Sequence, residues 1–132
     1  MKNSNSNKPT PGQTPSPKEL IQEIATLLDA NKAEEITLIN LEPVMQYESW
    51  FLIVSALSSA HLRKLSDEIY HMMKRQGELP GRTPNAADIE SGWVILDYGN
   101  IMIHFFLPEK RSFYRLEQLW AKGEVTHWKE EA

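Results

Sequence analysis

The chain has 132 residues, enough for one hydrophobic core and too few for two, and its formal charge is −4. It contains no cysteine, which excludes a disulfide scaffold, a thiolate zinc site and a cysteine nucleophile. The acidic balance argues against broad, sequence-independent binding to nucleic acid, because attraction to phosphate needs a basic face.

Residues 1–16 hold no large apolar side chain after Met1 and are rich in proline, serine and asparagine. Such a stretch cannot bury enough surface to offset its ordering entropy, so a disordered N-terminal tail is expected over 1–16. Its charges are Lys2 and Lys8. Leaving them out of the count takes the remainder from −4 to −6, so the folded part is more acidic than the whole chain suggests.

Ser16-Pro17-Lys18-Glu19 reads as a helix start, with Ser16 as cap, Pro17 at the first helical position and Glu19 closing a capping box. Leu20, Ile21, Ile24, Leu27 and Leu28 follow at helical spacing, and the helix should end near Asn31. Ile36 to Leu41 is rich in β-branched residues and predicts a strand stopped by Pro43. Trp50 to Ala56 is apolar nearly throughout, as suits a central strand covered on both faces. Ser58 or Ser59 can cap the next helix, whose buried stripe is Leu62, Leu65, Ile69, Met72 and Met73, with Gly77 as terminator. A loop with Pro80, Gly81 and Pro84 comes next, and Ala87-Asp88-Ile89 is read as a short edge strand.

Trp93 to Tyr98, then Gly99-Asn100, then Ile101 to Leu107 form two apolar runs around a tight-turn dipeptide, which predicts a β-hairpin. Pro108 ends its second strand, and Phe113, Leu116, Leu119 and Trp120 mark a short amphipathic helix. From Lys122 onward the chain is charged, and 122–132 is expected to be a loose tail. One domain over 17–121 follows. The long helix between two apolar strands suggests a right-handed βαβ crossover. The fold class is α/β, a mixed β-sheet flanked by α-helices.

The hairpin turn sets a register that puts Trp93, Ile95, Asp97, Met102, His104 and Phe106 on one face. That face is apolar but carries a carboxylate and an imidazole, and neither is cheap to bury unpaired. Two readings of it stand. It is a core face with Asp97 at its rim and His104 satisfied by a neighbour, or it is a docking face of the aromatic, Met-bearing kind that hot-spot patches use. Metal chemistry finds little support, since His61, His71, His104 and His127 lack ligand spacing. No glycine-rich phosphate loop is present, Ser58-Ser59 lacks the glycines of a nucleophile elbow, and no cofactor is expected. Arg63, Lys64, Lys74 and Arg75 share a helix with Asp67 and Glu68, and read as a solvated face.

The run from Gly92 through the hairpin to Phe106 resembles the signature of the ribosomal silencing factor family, the Iojap-like proteins. Glu109, Arg111, Tyr114, Leu116-Glu117 and Leu119-Trp120 continue the match. Upstream, Ser58-Ser59, His61 and Asp67-Glu68-Ile69 fit the helix that follows the family's central strand. The sequence departs from the family pattern at Ser49, Ala56 and Ala60, and its loop around Pro80 to Glu90 is longer. The resemblance implies a nucleotidyltransferase-like fold and a non-enzymatic binding protein, and with no apolar run of about 18 residues and no apolar N-terminal region a cytoplasmic location is expected. The resemblance also implies binding to the large ribosomal subunit through ribosomal protein L fourteen, which hinders joining of the small subunit and represses translation. Partner contact is expected from Trp93, Asp97 and their neighbours on the same face. From composition and charge, no membrane partner and no direct sequence-specific nucleic acid are expected, and a homodimer is left open. The alternatives are an enzyme on the nucleotidyltransferase-like fold or another ribosome-assembly factor. The enzyme reading meets two obstacles: Ala56-Leu57-Ser58 lacks the glycine of the phosphate-side turn, and Asp97 has Ile95 where a second metal-binding carboxylate would sit.

Overall fold

The computed structural model describes residues 16–114 and 123–128. The first helix, α1 (Pro17–Ala30), starts as its sequence dictates. The Ser16 hydroxyl accepts from the Glu19 amide while the Glu19 carboxylate accepts from the Ser16 amide. The apolar stripe of α1 is buried, and Asn31 caps its end. The expected tail over 1–16 lies outside the described residues except for this capping serine.

Strand β1 (Glu34–Asn40) precedes a short helix, α2 (Glu42–Met45), and the apolar strand β2 (Trp50–Ser55). Helix α3 (Ser59–Arg75) is capped by the Ser58 hydroxyl, which accepts from the His61 amide. It buries the predicted Leu62, Leu65, Ile69, Met72 and Met73. The edge strand expected at Ala87-Asp88-Ile89 is instead helical, as α4 (Ala86–Ser91). The cause is a second capping box: Asn85 accepts from the Asp88 amide, and the Asp88 carboxylate accepts from the Asn85 amide. That backbone bond also holds the Asp88 carboxyl below its usual pKa.

The hairpin β3 (Trp93–Asp97) and β4 (Ile101–Phe106) forms in the predicted register, Trp93 opposite Phe106 and Asp97 opposite Met102. Its turn requires glycine, because Gly99 sits at φ +88 while its amide donates to Asp97 Oδ1. Helix α5 (Pro108–Tyr114) follows, and the Leu116, Leu119 and Trp120 positions of its expected stripe lie outside the described residues. The loose tail expected over 122–132 is corrected over part of its length. Residues Glu124–His127 form a strand, β5, paired antiparallel with β1. Four exposed residues carry little hydrophobic signal, and the strand owes its place to the free edge of β1.

The five strands run in the order β3-β4-β2-β1-β5, which confirms a mixed sheet and puts β2 at its centre. The parallel neighbour of β2 is β4 and not β3, so the crossover expected after α3 carries β3 within it. Helices α1, α3 and α4 cover one face, where Leu52 and Val54 of β2 join the buried leucines, isoleucines and methionines of those helices. Ile39, Leu41, Ile53 and Phe106 form a smaller buried cluster on the other face. Both faces of β2 are thus covered over Leu52–Ser55, as its unbroken apolar run predicts.

Candidate functional site

The face opposite α1, α3 and α4 carries the candidate site. Register fixes its rows. Asp97, Met102, Phe51, Ile39 and Val125 lie in one row across all five strands. Ile95, His104, Ile53, Thr37 and His127 form the next, and Trp93, Phe106 and Ser55 the third.

The six residues that sequence reasoning placed on this face do lie on it, because strands alternate their side chains. They do not share one environment. Asp97 is exposed, and Trp93, Ile95 and Met102 are half-buried. His104 is 4% exposed and Phe106 fully buried, so these two support the surface and offer no contact area of their own. Trp93 stacks on Phe106 with ring centroids 5.1 Å apart at 22°, and its indole N–H donates to His104 Nδ1 at 3.2 Å. Desolvation pulls the His104 pKa down to about 4, with Asp97 acting weakly in the other direction.

Sequence reasoning missed two residues of this surface. Phe51 is half-buried, its ring 5.1 Å from His104. Val125 is 40% exposed at the far end of the same row as Asp97. The alternation of β2 could have revealed Phe51. Nothing in the 122–132 segment signals Val125, whose place depends on the pairing of β5 with β1.

At the opposite end of this face, α5 is pinned by Arg111. Its guanidinium donates to the Glu35 carbonyl, to Ser55 Oγ at 3.1 Å and to Thr37 Oγ1 at 2.7 Å. The 55–61 loop is held separately. His61 Nδ1 accepts from the Leu57 amide at 2.8 Å, and Nε2 lies 2.8 Å from the Asn31 carbonyl. Ser58 is engaged as the α3 cap, which agrees with the capping role read from its sequence context. Among the described residues no three His, Asp or Glu side chains converge to hold a metal ion, and no helix is long and apolar enough to cross a membrane.

A half-buried tryptophan over a buried aromatic layer, with an exposed carboxylate two rows away on the same strand face, is a surface another macromolecule could contact. Comparison with known proteins gives this surface its context. A family model described as "Ribosomal silencing factor during starvation" matches residues 14–132. The chain belongs to the ribosomal silencing factor family. A ribosomal silencing factor of Zymomonas mobilis is 37% identical over 112 residues, covering 82% of this chain and 80% of that protein. The mouse protein named "Mitochondrial assembly of ribosomal large subunit protein 1" is 33% identical over 104 residues, covering 76% of this chain. The chain spans only 44% of that relative's length. Among solved structures, a protein of Chromobacterium violaceum superposes with a TM-score of 0.72 at 19% identity, over 89% of this chain and 97% of that one. One from Bacillus halodurans gives 0.69 at 25% identity, over 84% and 99%. The family's fold is therefore present, and the hairpin that carried the resemblance forms one edge of its sheet.

Proposed function

We propose that this protein binds the large ribosomal subunit in the cytoplasm through ribosomal protein L fourteen, and that it represses translation by keeping the small subunit from joining. The observation that carries the reading is the face of β3 and β4, where half-buried Ile95 lies between half-buried Trp93 and exposed Asp97, and half-buried Met102 lies opposite Asp97. An aromatic anchor in an apolar surround with a charge at its edge is the composition of an interface centre. The acidity of the chain favours a basic ribosomal protein over bare RNA, because like charges repel and opposite charges steer encounter. The work is steric and needs no catalysis, and Asp97 alone offers too few ligands for two-metal nucleotidyl transfer.

The deciding experiment adds the protein to purified subunits and follows their association by light scattering. Slower or reduced association, saturating with protein added, is expected. Association at the rate of the untreated subunits rejects the reading.

A second reading, assembly of the large subunit, is favoured by the name of the mouse relative. It predicts that cells lacking the protein accumulate incomplete large subunits during growth. Steric silencing predicts normal subunits with excess joining.

A further inference from the structure

His104 belongs to the face proposed to dock, yet it is buried. It lies opposite Ile95 on β3 and beside Ile53 on β2, between Trp93 and Asp97 on the diagonals. Three aromatic rings surround it. Phe51 is 5.1 Å away, Trp93 6.0 Å and Phe106 6.3 Å, the last at an interplanar angle of only 9°. Phe106 in turn stacks on Trp93. Stacking sets the plane of the Trp93 indole. It does not choose between the two flips of the ring about the Cβ–Cγ bond, because either one offers a π-face to Phe106.

The polar contact makes that choice. An indole N–H can only donate, so the His104 Nδ1 that lies 3.2 Å from Trp93 Nε1 must be the accepting, unprotonated nitrogen. The imidazole is then neutral with its proton on Nε2. Burial keeps it neutral throughout the physiological pH range. A phenylalanine in the same place would keep a ring in the layer but would take this acceptor away from the indole N–H.

We propose that His104 is a positioning residue for docking: its Nδ1 holds the Trp93 indole in one preset rotation, with the polar edge turned into the sheet. The inference rests on the docking reading above. Its benefit is preorganisation, since an anchor already held in its bound orientation gives up less freedom when the partner arrives.

The test uses the full chain, large ribosomal subunits and NMR of the ¹⁵N-labelled indoles. His104→Phe keeps the ring and removes the acceptor. It should speed hydrogen exchange at the Trp93 indole N–H and weaken subunit binding roughly tenfold. His104→Asn places an amide oxygen near the position of Nδ1 and should restore both the protection and most of the affinity. A merely structural histidine would not show that paired rescue. Trp93→Ala serves as the control for the docking reading. If it weakens binding while His104→Phe binds like the parent, the positioning role is overturned and the docking reading stands. If Trp93→Ala itself binds like the parent, the docking reading fails, and the positioning role falls with it. Should His104→Phe not fold, the parent protein still decides: a Trp93 indole N–H that exchanges freely overturns the proposal.

Discussion

The guanidinium of Arg111 donates to the carbonyl of Glu35, the residue at which β1 leaves regular strand geometry with φ at +50. Glu35 lies in the irregular stretch between Glu34 and Thr37, where the pairing with β2 shifts register. Its carboxylate accepts from Ser55 Oγ, which also receives an Arg111 N–H. One side chain from α5 therefore satisfies acceptors on both β1 and β2.

Removing that side chain takes their N–H donors from two buried hydroxyls, Ser55 Oγ and Thr37 Oγ1. Arg111→Ala should cost about 3 kcal/mol of folding stability, measured by urea denaturation. Arg111→Lys should recover only part of it, since a point-like ammonium cannot fork between Ser55 and Thr37.

Trp93→Ala should weaken binding to the large subunit by about 2 kcal/mol, roughly thirtyfold. Asp97→Lys should cost as much or more by setting like charges against a basic partner. Equilibrium binding to isolated subunits measures both. Circular dichroism must first show that the variants fold, because half of Trp93 is packed on the sheet.

His104 carries a pH signature. Its folded pKa of about 4 lies below the ordinary 6.5, so the unfolded chain binds the proton more readily. Well above 6.5 both states are neutral and protonation of the group contributes nothing to the pH dependence. As pH falls from 6.5 toward 4 the unfolded state gains protons first and stability drops, by about 3 kcal/mol if no other group intervenes. Urea titrations at pH 7 and pH 4.5 on the parent and on His104→Asn should show a smaller acid loss in the variant. Equal losses would assign the acid sensitivity to other groups.

Gly123 enters β5 with no room for a side chain. A Cβ there would lie 2.8 Å from both the Asn40 carbonyl and Ile39 Cγ2. Gly123→Ala should therefore pry β5 from β1, seen as faster amide exchange at Leu38, whose partner in the ladder is Thr126. Unchanged exchange at Leu38 would show that β5 tolerates the shift.

The hairpin was legible in the sequence because its signals are local. Period-two apolarity and a Gly99-Asn100 turn determine pairing and register together, and the face of all six site residues followed. Alternation says which face a residue takes but not what covers that face. His104 and Phe106 consequently read as contacts when they are a buried support. Helix α4 was missed although its Asn85–Asp88 capping pair was in plain sight, because three residues of mixed polarity satisfy either a strand or a helix. Strand β5 had no local signature, since Glu124–His127 are all exposed and gain their order from a strand far back in the chain.

That distance has a consequence for synthesis. Thr37 and His127 are partners 90 positions apart, so β1 leaves the ribosome long before the strand that closes its edge. Until then β1 presents Ile36, Leu38 and Ile39 beside a row of unpaired backbone groups, the template on which strands of separate chains associate. The nascent chain is thus most exposed to aggregation in the interval before residues 124–127 emerge, and crowded polysomes are where that hazard would be greatest.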